Sequence, residues 1–182
     1  MYKQTTYTDC TININDKQYH LHKNFISDKS QLLGSQLNNT NNLVLEDINE
    51  YNFQIILDFC YTQNTKQINN NNIFTILTFS NKYKIKELEK YCLDFIFSNL
   101  EIITIDILDR LWYIFKNIDI VKIVNNMVTN YSIKNFFTKV NNLNNYELKQ
   151  YIFSILDKQR DINLLNKYNN DLFSKIKDKM NR

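Results

Sequence analysis

The sequence predicts an α+β domain, a short β-sheet flanked by helices, over residues 1–100, followed by an all-helical region over residues 101–182. Apolar and polar residues alternate through most of residues 10–21, which is the period of a half-buried strand. Through most of the chain after residue 23 the apolar residues recur every three or four positions, which is the period of a helix. With 182 residues, of which 43% are hydrophobic, the chain can form one compact domain or two small ones.

Composition argues against several classes of protein. The formal net charge is +3, from 22 basic and 19 acidic residues spread along the chain, so we expect no nucleic-acid partner. Cys10, Cys60 and Cys92 are widely spaced and include no CxxC pair, which favours a reducing, intracellular compartment, cytoplasmic or nuclear. The N-terminus lacks the signal-peptide pattern, and no apolar run approaches the ~18 residues that span a bilayer. We therefore expect a soluble protein without a membrane partner.

Residue usage is unusual throughout the chain. Pro and Ala are absent and Gly34 is the only glycine, while residues with AT-rich codons abound, which we interpret as the imprint of an AT-rich genome. The tract INNNN at residues 68–72 is accordingly predicted to be a loop. A prion-like segment is the alternative, and it is disfavoured because an apolar run at helical spacing follows at once.

The first predicted element is a β-hairpin. His20 lies within its second strand, and His22 directly follows that strand. CTINI, residues 10–14, alternates, the following ND can form the turn, and QYHL, residues 18–21, alternates again. An extended chain would place His20 and His22 on one face, about 6.5 to 7 Å apart by strand rise. A metal site needs a third ligand, and the sequence offers none at recognisable spacing, so we interpret the histidines as structural rather than metal-binding or catalytic.

Helical spacing dominates the rest of the first hundred residues. The predicted elements are a helix over 23–37, a short strand within 42–48, and helices over 50–62, 73–83 and 85–100. Ser30, Asn49 and Asn72 have the side chains that cap helix N-termini, Ser30 at a second turn within the first helix.

Residues 101–182 carry four apolar stripes at helical spacing, which predict helix pairs stacked in series. The stripes are Leu108, Leu111, Trp112, Phe115 and Ile118; Ile120, Val124, Met127, Val128 and Tyr131; Leu148, Ile152, Ile155 and Leu156; and Leu164, Leu165, Tyr168 and Leu172. We interpret Trp112 as a core residue, with a partner groove as the alternative.

The predicted order of strands and helices, together with particular residues at certain positions, resembles the residue pattern of one known family. These residues are Asp9, Ile12 and Ile14; Tyr19, Leu21, His22 and Lys23; Ser30, Leu32 and Leu33; Val44, Leu45 and Asp47; and Phe53, Ile56, Leu57, Asp58, Phe59, Tyr61 and Thr62. Over about residues 9–100 this combination resembles the BTB/POZ domain. The resemblance implies that His22 stabilises the fold, its imidazole satisfying buried backbone groups, while His20 faces solvent. By position above all, residues 101–182 resemble the BACK region that follows this domain in adaptor proteins.

The resemblance implies a protein–protein interaction adaptor without cofactor or metal, linking a cullin-type ubiquitin ligase scaffold to a substrate bound elsewhere. The sequence itself shows no phosphate-binding glycine loop and no nucleophile elbow, so we expect no enzyme. The implied partner-binding residues are Leu33, Gln36, Leu37, Asn39 and Tyr61. Leu37 is expected to insert as an apolar anchor, while Asn39 stands where cullin-binding members tend to carry a Glu. The alternative is a structural, self-associating or decoy module without ligase function.

Two further expectations concern the N-terminal edge of the domain. Asp9 and Lys23 match the charged positions that many BTB domains place in a pocket near the dimer groove, and an ion pair at the hairpin edge is the alternative reading. Homodimerisation is a further option that the resemblance implies. Eight residues precede Asp9, too few for the extra helix of dimeric members, which disfavours a swapped dimer.

Overall fold

The structure, a computed structural model, describes residues 7–115, 119–130 and 133–158. The chain divides into two compact units, residues 1–98 and residues 99–182. The first unit combines a β-sheet with helices and the second is helical in its described residues, which confirms the predicted fold class. Within this described part, no helix has the length and apolar character needed to cross a bilayer.

The sheet of the first unit has three strands in the order β2-β1-β3. They are β1, Cys10–Ile14; β2, Lys17–Leu21; and β3, Asn42–Val44. The antiparallel pairing of β1 with β2 confirms the predicted hairpin, and β3 runs parallel to β1. Asn15 adopts a left-handed conformation in the tight turn, φ 51°, which asparagine tolerates better than most residues. The alternating apolar residues of the hairpin form the buried face of the sheet: Cys10, Ile12, Ile14, Tyr19 and Leu21.

The five helices of the first unit are α1, Lys23–Lys29; α2, Gln31–Thr40; α3, Glu50–Thr62; α4, Ile73–Lys82; and α5, Lys86–Ser98. The single helix predicted over 23–37 is wrong, because the extended backbone of Ser30 separates α1 from α2. The Ser30 hydroxyl caps α2 by accepting the Leu33 N–H at 3.1 Å, and it donates to the carbonyl of Tyr83. The two helices then approach closely, since a Cβ atom at Gly34 would lie 2.8 Å from the Cα atom of Ser27.

Two of the predicted caps have different outcomes. Asn49 caps α3 as predicted, its side-chain oxygen accepting the Asn52 N–H at 2.9 Å. Asn72 precedes α4 but forms no side-chain capping bond with it. Its amide instead accepts the Asn69 N–H and donates to the Gln67 carbonyl, both at 2.8 Å. The asparagine tract therefore lies in a loop, as predicted, and the amide of its last residue stabilises that loop.

Aromatic side chains link the sheet to the helices in the core of the first unit. Phe53 on α3 meets Tyr19 of β2 edge to face, with ring centroids 5.0 Å apart, and Phe79 of α4 at 6.1 Å. The ring centroid of Phe79 in turn lies 4.3 Å from that of Tyr83. Phe53 of α3 thus contacts both the sheet and α4, and fully burying such a side chain contributes about 1.5 to 3 kcal/mol.

The second unit begins with a short 3-10 helix, Leu100–Ile102, and continues with four α-helices in its described part. They are α6, Ile105–Ile114; α7, Ile120–Asn130; α8, Ile133–Asn141; and α9, Tyr146–Lys158. Three of the predicted stripes fall on α6, α7 and α9, whereas α8 was not predicted and Phe115 lies just beyond α6. Ile118, Tyr131 and the stripe from Leu164 to Leu172 lie outside the described residues. Trp112 is half-buried, and its ring stacks on that of Tyr151 with the ring centroids 5.2 Å apart.

Candidate partner-binding surface

The two histidines occupy different structural elements. His20 lies in β2, is exposed, and places its Nδ1 atom 3.4 Å from the Thr11 hydroxyl. Strand β2 ends at Leu21, so His22 is instead the N-cap residue of α1. The expectation that both histidines belong to one strand is therefore corrected, although the backbone of His22 is still extended. Among the described residues, no group of three or more His, Cys, Asp or Glu side chains is placed to hold a metal ion.

His22 is tied to Tyr61, at the end of α3. The backbone N–H of His22 donates to the Tyr61 hydroxyl oxygen at 3.0 Å, and the Nδ1 atom lies 3.3 Å from the same oxygen. The imidazole thus meets a side-chain hydroxyl rather than a backbone group, which corrects the role expected for it. In the neutral imidazole with Nδ1 unprotonated, the tyrosine hydroxyl donates to that nitrogen while its oxygen accepts the amide hydrogen.

Phe25 joins these two residues in a surface cluster, here called the aromatic cluster (His22, Phe25 and Tyr61). The Phe25 and Tyr61 rings are stacked with centroids 5.2 Å apart, and the imidazole lies 6.0 Å from each ring. Phe25 remains 41% exposed. Burial raises the pKa of Tyr61 above its ordinary value, and the hydrogen bond from the His22 backbone opposes this increase. The hydroxyl is therefore protonated and able to donate at neutral pH.

The apolar residues expected to contact a partner lie in the core. Leu33 is 3% exposed and Leu37 is fully buried, because residues 33, 34 and 37 share the inner side of α2. The expectation that Leu37 inserts into a partner is therefore wrong for this fold. Its neighbour Leu32 is 38% exposed and points away from that inner side.

The other expected contact residues remain accessible to different degrees. Asn39 is exposed near the end of α2, and both Gln36 and Tyr61 are half-buried. The side-chain oxygen of Gln36 is itself buried and accepts no hydrogen bond within the described part of the chain. The structure therefore leaves Asn39, with parts of Gln36 and Tyr61, for contact with another molecule.

Asp9 and Lys23 meet, although their two charged groups do not pair. The Asp9 carboxylate accepts the backbone N–H of Lys23 at 2.7 Å, at the first turn of α1. The Lys23 ammonium donates instead to the side-chain oxygen of Asn41 at 2.5 Å. The expected ion pair at the hairpin edge is therefore replaced by a backbone contact and a lysine–amide contact, and the pocket hypothesis stays a prediction.

Sequence reasoning missed several exposed apolar side chains of the first unit. They are Tyr7, Phe25, Leu32, Val44 and Tyr51. Phe25 and Leu32 each precede a buried residue, Ile26 and Leu33, and the periodicity of a single helix over 23–37 would place all four on one apolar stripe. The break at Ser30 changes that assignment, since α1 and α2 have independent axes and each turns its own side toward the core.

Comparisons with known proteins bear on the first unit. A family model of the BTB/POZ domain matches residues 1–100, which contain the whole sheet and helices α1 to α5. Among solved structures, the BTB domain of zebrafish PATZ1 aligns with a TM-score of 0.48 and 18% identity, covering 52% of this chain and 79% of that one. The BTB domain of human gigaxonin aligns with a TM-score of 0.45 and 18% identity, covering 49% and 77%. A comparison with curated proteins finds no match.

Proposed function

Because the chain belongs to the BTB/POZ domain family, whose domains mediate protein–protein interaction, we propose that it is an adaptor for the N-terminal domain of a cullin-type ubiquitin ligase scaffold. The family match supports this proposal most directly, since it includes every described strand and helix of the first unit. The substrate is bound elsewhere, by another part of the complex.

The proposed contact surface combines the accessible part of α2 with the aromatic cluster. Since Leu37 is in the core, the apolar contact is assigned to Phe25, 41% exposed, and the polar contacts to Gln36 and Asn39. A large side chain already held in place loses little conformational freedom on binding, and the Phe25 ring is held against Tyr61. Such side chains commonly cost ~2 kcal/mol or more of binding free energy when truncated at an interface centre.

Asn39 sets the expected strength of the interaction. It stands where cullin-binding members tend to carry a Glu, and an exposed carboxylate would offer a charge-assisted hydrogen bond that the amide lacks. Such a bond is worth roughly 1.5 to 3 kcal/mol, which corresponds to about one to two decades in Kd. We therefore expect a submicromolar-to-micromolar complex rather than a tighter one.

The C-terminal helices have a supporting role in this proposal. Residues 101–182 act as a BACK-like region, and α6 and α7 provide a second contact to the scaffold. Such a contact would offset part of the affinity lost at Asn39.

Calorimetry of the full chain with a purified cullin N-terminal domain tests the proposal. Asn39→Glu is expected to strengthen binding about tenfold or more and Phe25→Ala to weaken it by a similar factor. Tyr51→Ala is the matched control, because Tyr51 is a 59% exposed aromatic residue at the opposite end of α3 from Tyr61. Absence of binding at ~100 μM cullin domain would overturn the adaptor proposal.

The second candidate is a structural, self-associating or decoy module without ligase function. The observation that favours it is the amide at position 39, which removes the acidic contact expected of a cullin-binding member. Size-exclusion chromatography with light scattering distinguishes the two candidates when combined with the calorimetry. Self-association without cullin binding supports the second, whereas a monomer that binds the cullin domain supports the first.

A further inference from the structure

We draw no further inference here: the strongest candidate, the stacked pair of Trp112 and the 41% exposed Tyr151 between α6 and α9, is an aromatic surface patch, and nothing in the described part of the chain shows what covers it.

Discussion

The hydroxyl of Tyr61 accepts the backbone N–H of His22 at 3.0 Å and lies 3.3 Å from its imidazole Nδ1, so the last turn of α3 holds the start of α1. These contacts satisfy a backbone donor at a helix N-terminus, where N–H groups lack partners within the helix. The same tyrosine ring supports Phe25, the exposed apolar side chain of the proposed partner surface.

Tyr61→Phe is expected to lower the free energy of unfolding by roughly 1 to 2 kcal/mol. The substitution keeps the ring that stacks on Phe25 but leaves the His22 N–H and imidazole without the hydroxyl. Urea denaturation followed by circular dichroism measures the change. His20→Ala is the control and should change stability little, because His20 is exposed. Equal midpoints for Tyr61→Phe and the unsubstituted protein would show that the hydroxyl contributes nothing.

Leu37→Asp is expected to abolish cooperative folding rather than only partner binding. The substitution places a carboxylate at a fully buried position in the core. Such a change is among the costliest single substitutions and lowers the free energy of unfolding by about 4 kcal/mol or more. Thermal unfolding by circular dichroism provides the measurement. Asn38→Asp, one position along α2 and exposed, should melt close to the unsubstituted protein. If the Leu37→Asp protein folds, the burial of Leu37 is not essential to the fold, and Leu37 is again a candidate for contact with a partner.

Asn52→Leu is expected to stabilise the protein. Asn52 is 6% exposed, and its side-chain oxygen has no hydrogen-bond partner in the described part of the chain. A buried polar atom without a partner costs about 1 to 3 kcal/mol, which an apolar side chain of similar size avoids. Chemical denaturation should show a higher midpoint. Asn52→Asp, which buries a charge at the same position, should show a lower one, and a lower midpoint for both variants would contradict the explanation.

Lys84→Gly is expected to stabilise the connection between α4 and α5. Lys84 is exposed and has a left-handed backbone, φ 58°, which costs a residue with a Cβ atom about 1 to 2 kcal/mol. Glycine avoids that cost but loses about 0.5 to 1 kcal/mol of backbone entropy, so the net gain is about 0.5 to 1 kcal/mol. Differential scanning calorimetry measures it. Lys90→Gly, at an exposed position inside α5, should instead destabilise by about 1 kcal/mol.

The cysteines are expected to resist thiol reagents in the native protein. Burial raises the pKa of Cys10 to about 11 and those of Cys60 and Cys92 to about 12, so the reactive thiolate is scarce at pH 8. Absorbance titration with an aromatic disulfide reagent should show little rapid reaction natively and three thiols after denaturation. Rapid native labelling of even one thiol would contradict the burial described.

The raised pKa values of the three thiols also make the free energy of unfolding depend on pH. A thiol whose pKa is higher in the folded state stays protonated there after the unfolded chain has lost its proton. Its contribution to stability is complete below the ordinary pKa of 9.0 and declines as the pH rises toward 11 to 12. Denaturation midpoints should therefore fall above about pH 9.

The elements that short-range features define were predictable. The hairpin follows from alternation on either side of a two-residue turn, and α3 begins at its predicted position because Asn49 caps it. It ends as predicted at Thr62, where Gln63 turns left-handed and donates its N–H to the carbonyl of Phe59. The break at Ser30 was harder to predict from the sequence, because the Ser30 hydroxyl also bonds to the carbonyl of Tyr83, 53 residues away. The role of Asn72 depended likewise on its loop rather than on the helix that follows it.

Local sequence patterns were enough to predict the periods of the strands and helices, the positions of the hairpin and α3, and the family resemblance. Which side of each helix is buried depends on tertiary packing instead. Successive residues of a helix are rotated by about 100°, so an apolar residue at helical spacing can line the core, as Leu37 does, or its margin, as Leu32 does. The pairing of His22 with Tyr61, 39 residues apart, was likewise decided only when packing brought the start of α1 to the end of α3.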